Sequence, residues 1–157
     1  MPALAWNTAA GDLTIGGVAM NCPAWRIENL LDLWFPADQR GKDQQVAGVA
    51  GARAKRRIDT ATKRSLRMTI VGDVDRTGAT NSDWFEGLAA NIDYLRTNVV
   101  APTGTGDGTR SAVLTMPDAS TRTEPVHVEG MELGTWRPDG LWCRAIITLS
   151  IPSGRIQ

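Results

Sequence analysis

The sequence predicts a mainly β protein: an antiparallel β-sandwich or open barrel, flanked by one α-helix and carrying a long extended loop or arm. Three observations lead there. Several short segments alternate apolar and polar residues with period two, and Gly, Pro and Asp turn residues stand between them. Only one stretch, after Gly78, shows a helical period. At 157 residues, 42% apolar and 22% charged, the chain is sized for a single domain spanning 1–157 and has the composition of a folded protein.

Asp12-Leu-Thr-Ile-Gly-Gly-Val-Ala-Met20 reads as strand, turn, strand, because Gly16 and Gly17 tolerate the positive φ of a two-residue hairpin loop. Ala24-Trp-Arg-Ile-Glu-Asn-Leu30 puts Trp25 and Ile27 on one face and Arg26 and Glu28 on the other, as a half-buried strand does. From Phe35-Pro36 to about Gly51 no period survives, which predicts a loop of about 15 residues; loops that long are usually functional or become ordered on a partner. Arg53-Ala-Lys-Arg-Arg-Ile-Asp59 then reads as an extended arm or edge strand. Arg64–Val71 reads as a strand with Leu66, Met68 and Ile70 sharing a face.

Asp83 is placed to be an N-cap, with Glu86 three residues on. Phe85, Leu88, Ile92, Leu95 and Val99 recur at spacings of three and four, so the spacing predicts a helix over about 84–98 whose apolar stripe packs on the sheet. Glu86, Asn91, Asp93 and Arg96 make up its mixed-sign polar face. Pro102–Gly108 is a second glycine-rich loop, followed by the strand Ser111–Met116. Val126–Glu129 alternates until Gly130, after which Met131 and Leu133 fall out of phase. A bulge at Gly130 would return them to the core face. Arg137-Pro-Asp-Gly140 is a turn, and Leu141, Cys143, Ala145, Ile147, Leu149 and Ile151 form the buried face of a long last strand.

Chemistry-bearing patterns are sparse, and the sequence predicts no enzyme, no cofactor and no metal site. The one histidine, His127, has no nucleophile elbow or catalytic cysteine context and reads as a sheet-surface residue. Cys22 and Cys143 are too few and too distant for a zinc or redox motif and read as small core residues. Asp73-Val-Asp75 lacks the rest of a calcium loop, and Thr103-Gly-Thr-Gly-Asp-Gly108 lacks the Lys-Ser/Thr ending of a phosphate loop. No pair among the carboxylates is singled out for acid–base work. No apolar run approaches a membrane span, and the N-terminus lacks signal-peptide features, so a cytoplasmic product is expected.

Charge is unevenly distributed. Residues 40–67 hold nine basic side chains (Arg40, Lys42, Arg53, Lys55, Arg56, Arg57, Lys63, Arg64, Arg67) against Asp43 and Asp59, a balance of +7. Because the chain is neutral overall, the remainder carries −7. Such a run can contact phosphates, pair with carboxylates on a neighbouring subunit, or be a solvated strand face. No zinc finger, helix-turn-helix or ribonucleoprotein motif surrounds it.

The Trp-containing strand, the loop with Val46-Ala-Gly-Val-Ala-Gly51, the basic Arg56-Arg-Ile-Asp59, the strand Leu66-Arg-Met-Thr-Ile-Val-Gly72 before Asp73, and the helix Trp84–Asn98 together resemble the N-terminal domain of siphophage distal tail proteins and tail-tube-like relatives. The resemblance covers roughly residues 12–151. It implies a structural virion protein that forms a ring, commonly of six subunits, at the distal tail. The ring would surround a channel for DNA, which passes without sequence-specific binding, and for the tape-measure protein. Tube and tail-tip or baseplate proteins would be its other partners, and the virion tail its location after assembly in the host cytoplasm. Residues 36–59 would then be an inter-subunit clasp, with Arg53, Lys55, Arg56, Arg57, Val46, Val49 and Trp34 as contact candidates. The end at Gln157 leaves no room for the larger C-terminal domains of many distal tail proteins, which favours a tube or terminator protein as the alternative. A small basic-armed nucleic-acid-binding protein is the reading from a different class.

Overall fold

The strands form where side chains alternate, and the helix where the period changes. The computed structural model describes residues 12–33, 62–101, 108–116, 118–153 and 156, with backbone alone at 31–32, 39–40, 44–45, 52–53, 58–59 and 62. Its main body is one seven-stranded antiparallel sheet. The strands are β1 (Leu13–Ile15), β2 (Val18–Ala19), β3 (Trp25–Ile27), β8 (Thr62–Val71), β9 (Arg110–Thr115), β10 (Thr121–Trp136) and β11 (Trp142–Ile151), in the order β2-β1-β9-β10-β11-β8-β3. One α-helix, α1 (Trp84–Leu95), runs on into a π-helical turn at Arg96–Val100.

The two ends of that sheet are sequence neighbours. Only residues 20–24 separate β2 from β3, and the Trp25 indole N–H donates to the Ala19 carbonyl at 3.1 Å. The sheet therefore curls until its edges meet, which is the open-barrel arrangement. Long β10 makes the curl possible: residues 121–126 pair with β9 and residues 127–136 with β11, with a register shift between Val128 and Gly130 where the sequence predicts the bulge. The strand begins five residues before the alternation is legible, and it includes Pro125 opposite Ser111.

Leu13, Ile15, Leu66, Met68, Ile70, Leu114, Ile147, Leu149 and Ile151 are buried on the inner face. Each such side chain contributes about 1.5–3 kcal/mol by leaving water. Cys143 is buried as expected, whereas Cys22 is only half-buried. His127 faces the same side as Ser150, away from the core, as expected for a sheet-surface residue. Gly16 and Gly17 take positive φ in the first hairpin turn, as the Gly-Gly pair predicts.

The helix sits on the sheet differently from the expectation in two respects. Phe85 does not join the core; it is 56% exposed. Asn91, expected on the polar face, is buried instead, and its amide donates to the carbonyls of Val71 at 2.8 Å and Val74 at 3.0 Å. Those carbonyls lie at the last residue of β8 and three residues beyond it, so a polar side chain on the core-facing side serves them better than an apolar one. Asp83 caps the helix as predicted, accepting from the Glu86 N–H at 3.0 Å. At the other end Arg110 donates to the carbonyls of Asn98 and Ala101, satisfying groups the last turn leaves open. Gly72 and Gly87 let the first turn lie backbone against backbone on β8. A Cβ on Gly72 would overlap the Gly140 and Trp84 oxygens, and one on Gly87 would overlap the Gly72 oxygen.

The segment expected as a structureless loop instead carries short strands. Antiparallel pairing joins β4 (Gln39–Arg40) to β7 (Ile58–Asp59), and β5 (Gln44–Gln45) to β6 (Ala52–Arg53). The second ladder is nested within the first, and neither belongs to the seven-stranded sheet.

Candidate functional site

The nested ladders place the ends of a hairpin-like excursion at residues 39–59. Gln39 faces Asp59 and Arg40 faces Ile58; further out Gln44 faces Arg53 and Gln45 faces Ala52. The register slips by one between the two ladders. Arg53 is thus placed by its backbone in β6. Trp34, Val46, Val49, Lys55, Arg56 and Arg57 lie outside the described residues.

The basic run divides between two settings. Residues 39–59 carry Arg40, Lys42, Arg53, Lys55, Arg56 and Arg57 against Asp43 and Asp59, which is six minus two, +4. Lys63, Arg64 and Arg67 belong to β8. There Lys63 pairs with Glu129 at 2.7 Å and Arg67 is exposed on the outer face of the strand. Arg26 and Arg144 flank Thr69 from β3 and β11 on the same outer face, and Glu28 accepts from the Thr69 hydroxyl at 2.8 Å. The face is mixed in sign, which suits water or a polar neighbour.

On the opposite side of the sheet lies a feature the sequence reading missed. Past the bulge, Leu133 and Trp136 pair opposite Ala145 and Cys143 and so point to the inner face, yet they are 43% and 51% exposed. The helix covers that face only in part. Phe85, Leu88, Ala89 and Ile92 from α1 meet Leu133, Gly134, Trp136 and Cys143 across an open cavity of about 280 Å³. Phe85 and Trp136 tilt together at 6.3 Å between ring centres. The lining offers little beyond carbon: burial pushes the Cys143 thiol pKa up, and its Sγ already donates to the Arg144 carbonyl. The signal was present in the Leu133–Trp136 spacing, but it reads as core unless one knows how far the helix reaches.

A smaller hollow of about 230 Å³ lies between the β1–β2 hairpin and the helix, lined by Gly17, Cys22, Trp25, Arg76 and Tyr94. Trp25 stacks on Tyr94 at 5.9 Å, and the Arg76 guanidinium sits 4.7 Å from the Tyr94 ring centre. These contacts seal the side where the sheet closes on itself. Asp75, expected to be strand-end solvation, accepts from the Thr77 hydroxyl and from the Thr77 and Ala79 N–H groups. Those hydrogen bonds, the Thr77 hydroxyl first, hold its pKa below the ordinary value. Among the described residues no group of three or more His, Cys, Asp or Glu side chains is arranged to hold a metal ion, and no helix is long and apolar enough to cross a membrane. What the arrangement offers chemically is surface for association: a cationic hairpin and an uncovered apolar groove.

No protein-family model matches the chain, and no curated protein matches it.

Proposed function

We propose that this chain is a structural assembly protein of a tailed phage, building a ring around the central channel of the tail, at the distal tip or as a tube or terminator component. The observation that carries this reading is the cationic excursion at 39–59. Its described backbone pairs only in ladders of its own and lends no strand to the seven-stranded sheet, and its sequence holds six basic residues. The body supplies the complementary charge, since everything outside residues 39–59 sums to −4. Opposite potentials on two parts of one molecule favour head-to-tail association, and head-to-tail contacts close into rings when the rotation per subunit allows. The resemblance in order and spacing to distal tail and tube proteins supplies the biological setting.

The test is mass measurement and electron microscopy of the purified protein. The reading predicts closed rings, with six subunits the expected number, and recovery of the protein from virions. A strictly monomeric species at high concentration, absent from particles, refutes it. Titrating duplex DNA at low and moderate salt separates the other class: tight, salt-sensitive binding by the isolated monomer would identify the basic run as a phosphate-binding arm.

A further inference from the structure

We infer that the groove between α1 and the C-terminal half of β10 is the seat for the hairpin arm, residues 39–59, of a second copy of this chain. The inference rests on the self-assembly reading above and names the surface it uses. Its first support is the sheet itself. From His127 onward β10 pairs with β11 on one side, while its pairing with β9 ends at Val126 opposite Arg110, so no described strand pairs with the other edge of residues 127–136. Every residue from Glu132 to Trp136 is exposed. Over Glu132–Trp136 an exposed edge that no described strand pairs is a template for strand addition.

The second support is apolar. Beside the bare edge lies the cavity of Phe85, Leu88, Ile92, Leu133 and Trp136, about 280 Å³ and almost without hydrogen-bonding groups. It suits small aliphatic side chains. Between the partners Gln45 and Ala52 the sequence runs Val46-Ala-Gly-Val-Ala-Gly51, whose side chains are all of that size.

The third is charge, and it decides the occupant. Glu86 and Asp93, seven residues apart on α1, lie on the solvent side of the flank that bears Phe85, Ala89 and Ile92, and Glu132 lies on the bare edge. None of the three forms an ion pair with a described residue; the carboxylates that do are Glu129 and Asp139. Three carboxylates without an ion pair to a described residue, around an apolar slot, match a partner segment whose sequence carries net +4 and a small aliphatic stretch. They would repel an acidic peptide.

A photoreactive amino acid at position 133, in an equal mixture of isotopically heavy and light protein, tests this directly. The expected products are heavy–light cross-links from position 133 to residues 39–59. Cross-links to other segments, or within one chain only, overturn the inference. Leu133→Lys is expected to weaken self-association at least tenfold while leaving the unfolding midpoint of the monomer unchanged. Should that variant misfold, the exposed pair Glu86→Lys/Asp93→Lys carries the same expectation, with association regained when combined with Arg56→Glu/Arg57→Glu. Rings that persist with unchanged affinity in both groove variants, yet vanish when the arm's basic residues are removed, refute the docking site and leave the assembly reading intact. A wild-type protein that never associates removes both.

Discussion

Asn91→Ala isolates the contact that seats the helix. The side chain is 5% exposed and its amide spans the carbonyls of Val71 and Val74 at 2.8 and 3.0 Å. Removing it strands two acceptors at the end of β8, where the helix shields them from water. A buried acceptor left unsatisfied costs about 1–3 kcal/mol. One of the two can recover a water through the space the side chain vacates, so the expected loss is about 1–3 kcal/mol. Against a total of about 5–15 kcal/mol for a domain, that is a large fraction. In a chain of this size it lowers Tm by about 2–12 °C, at roughly 2–4 °C per kcal/mol. Urea unfolding followed by Trp fluorescence reads it as a lower midpoint with unchanged slope. Asn91→Asp is expected to be worse at neutral pH, because a carboxylate faces two carbonyl oxygens, and to improve on acidification as it gains a proton. An Asn91→Ala variant within about 0.5 kcal/mol of wild type would show that the hydrogen bonds do not anchor the helix.

Gly87→Ala is expected to destabilise by about 1–3 kcal/mol, since its Cβ would overlap the Gly72 oxygen, whereas Gly130→Ala, with open space around it, is expected to stay within about 0.5 kcal/mol; equal midpoints in urea for the two variants would contradict the close backbone approach. Asp75 has a folded pKa below its ordinary 3.8, so its contribution is present above that value and lost as pH falls through the folded pKa. Asp75→Asn should therefore differ from wild type at pH 7 and converge with it in strong acid, which unfolding midpoints at the two pH values would show; a constant difference would contradict the assignment. Asp12 behaves oppositely: burial raises its pKa, so ionisation costs stability above the carboxylate range, and one of its buried oxygens lacks a partner. Asp12→Asn is expected to gain stability at pH 7 and lose the advantage below pH 4, and a loss at pH 7 would refute this.

Much of the fold is legible in local sequence because local rules decide it. The Gly16-Gly17 turn, the Asp83 cap, the period-two run from Cys143 to Ile151 and the bulge at Gly130 each depend on residues within a few positions of one another. What escapes is set by distant partners. Asn91 looks like a polar-face residue until the ends of β8 are brought against it, and Phe85 looks like core until the helix proves too short of cover for β10. The closure of β2 against β3 depends on five strands lying between them in the sheet, which no local window contains. At the site, the basic character of residues 53–67 is plain in the sequence, but its division between arm and sheet face follows from where β8 begins, at Thr62. The groove is the least legible part, because exposed Leu133 follows the alternation of buried residues and Trp136 joins its face only through a second register shift between them.

Sedimentation of the wild-type protein beside an Arg53→Ala/Lys55→Ala/Arg56→Ala/Arg57→Ala variant puts the arm to the most direct trial. The account predicts a ring-sized species for wild type and a folded monomer for the variant, with matching circular dichroism, because the arm adds no strand to the main sheet. A variant that assembles like wild type would contradict it.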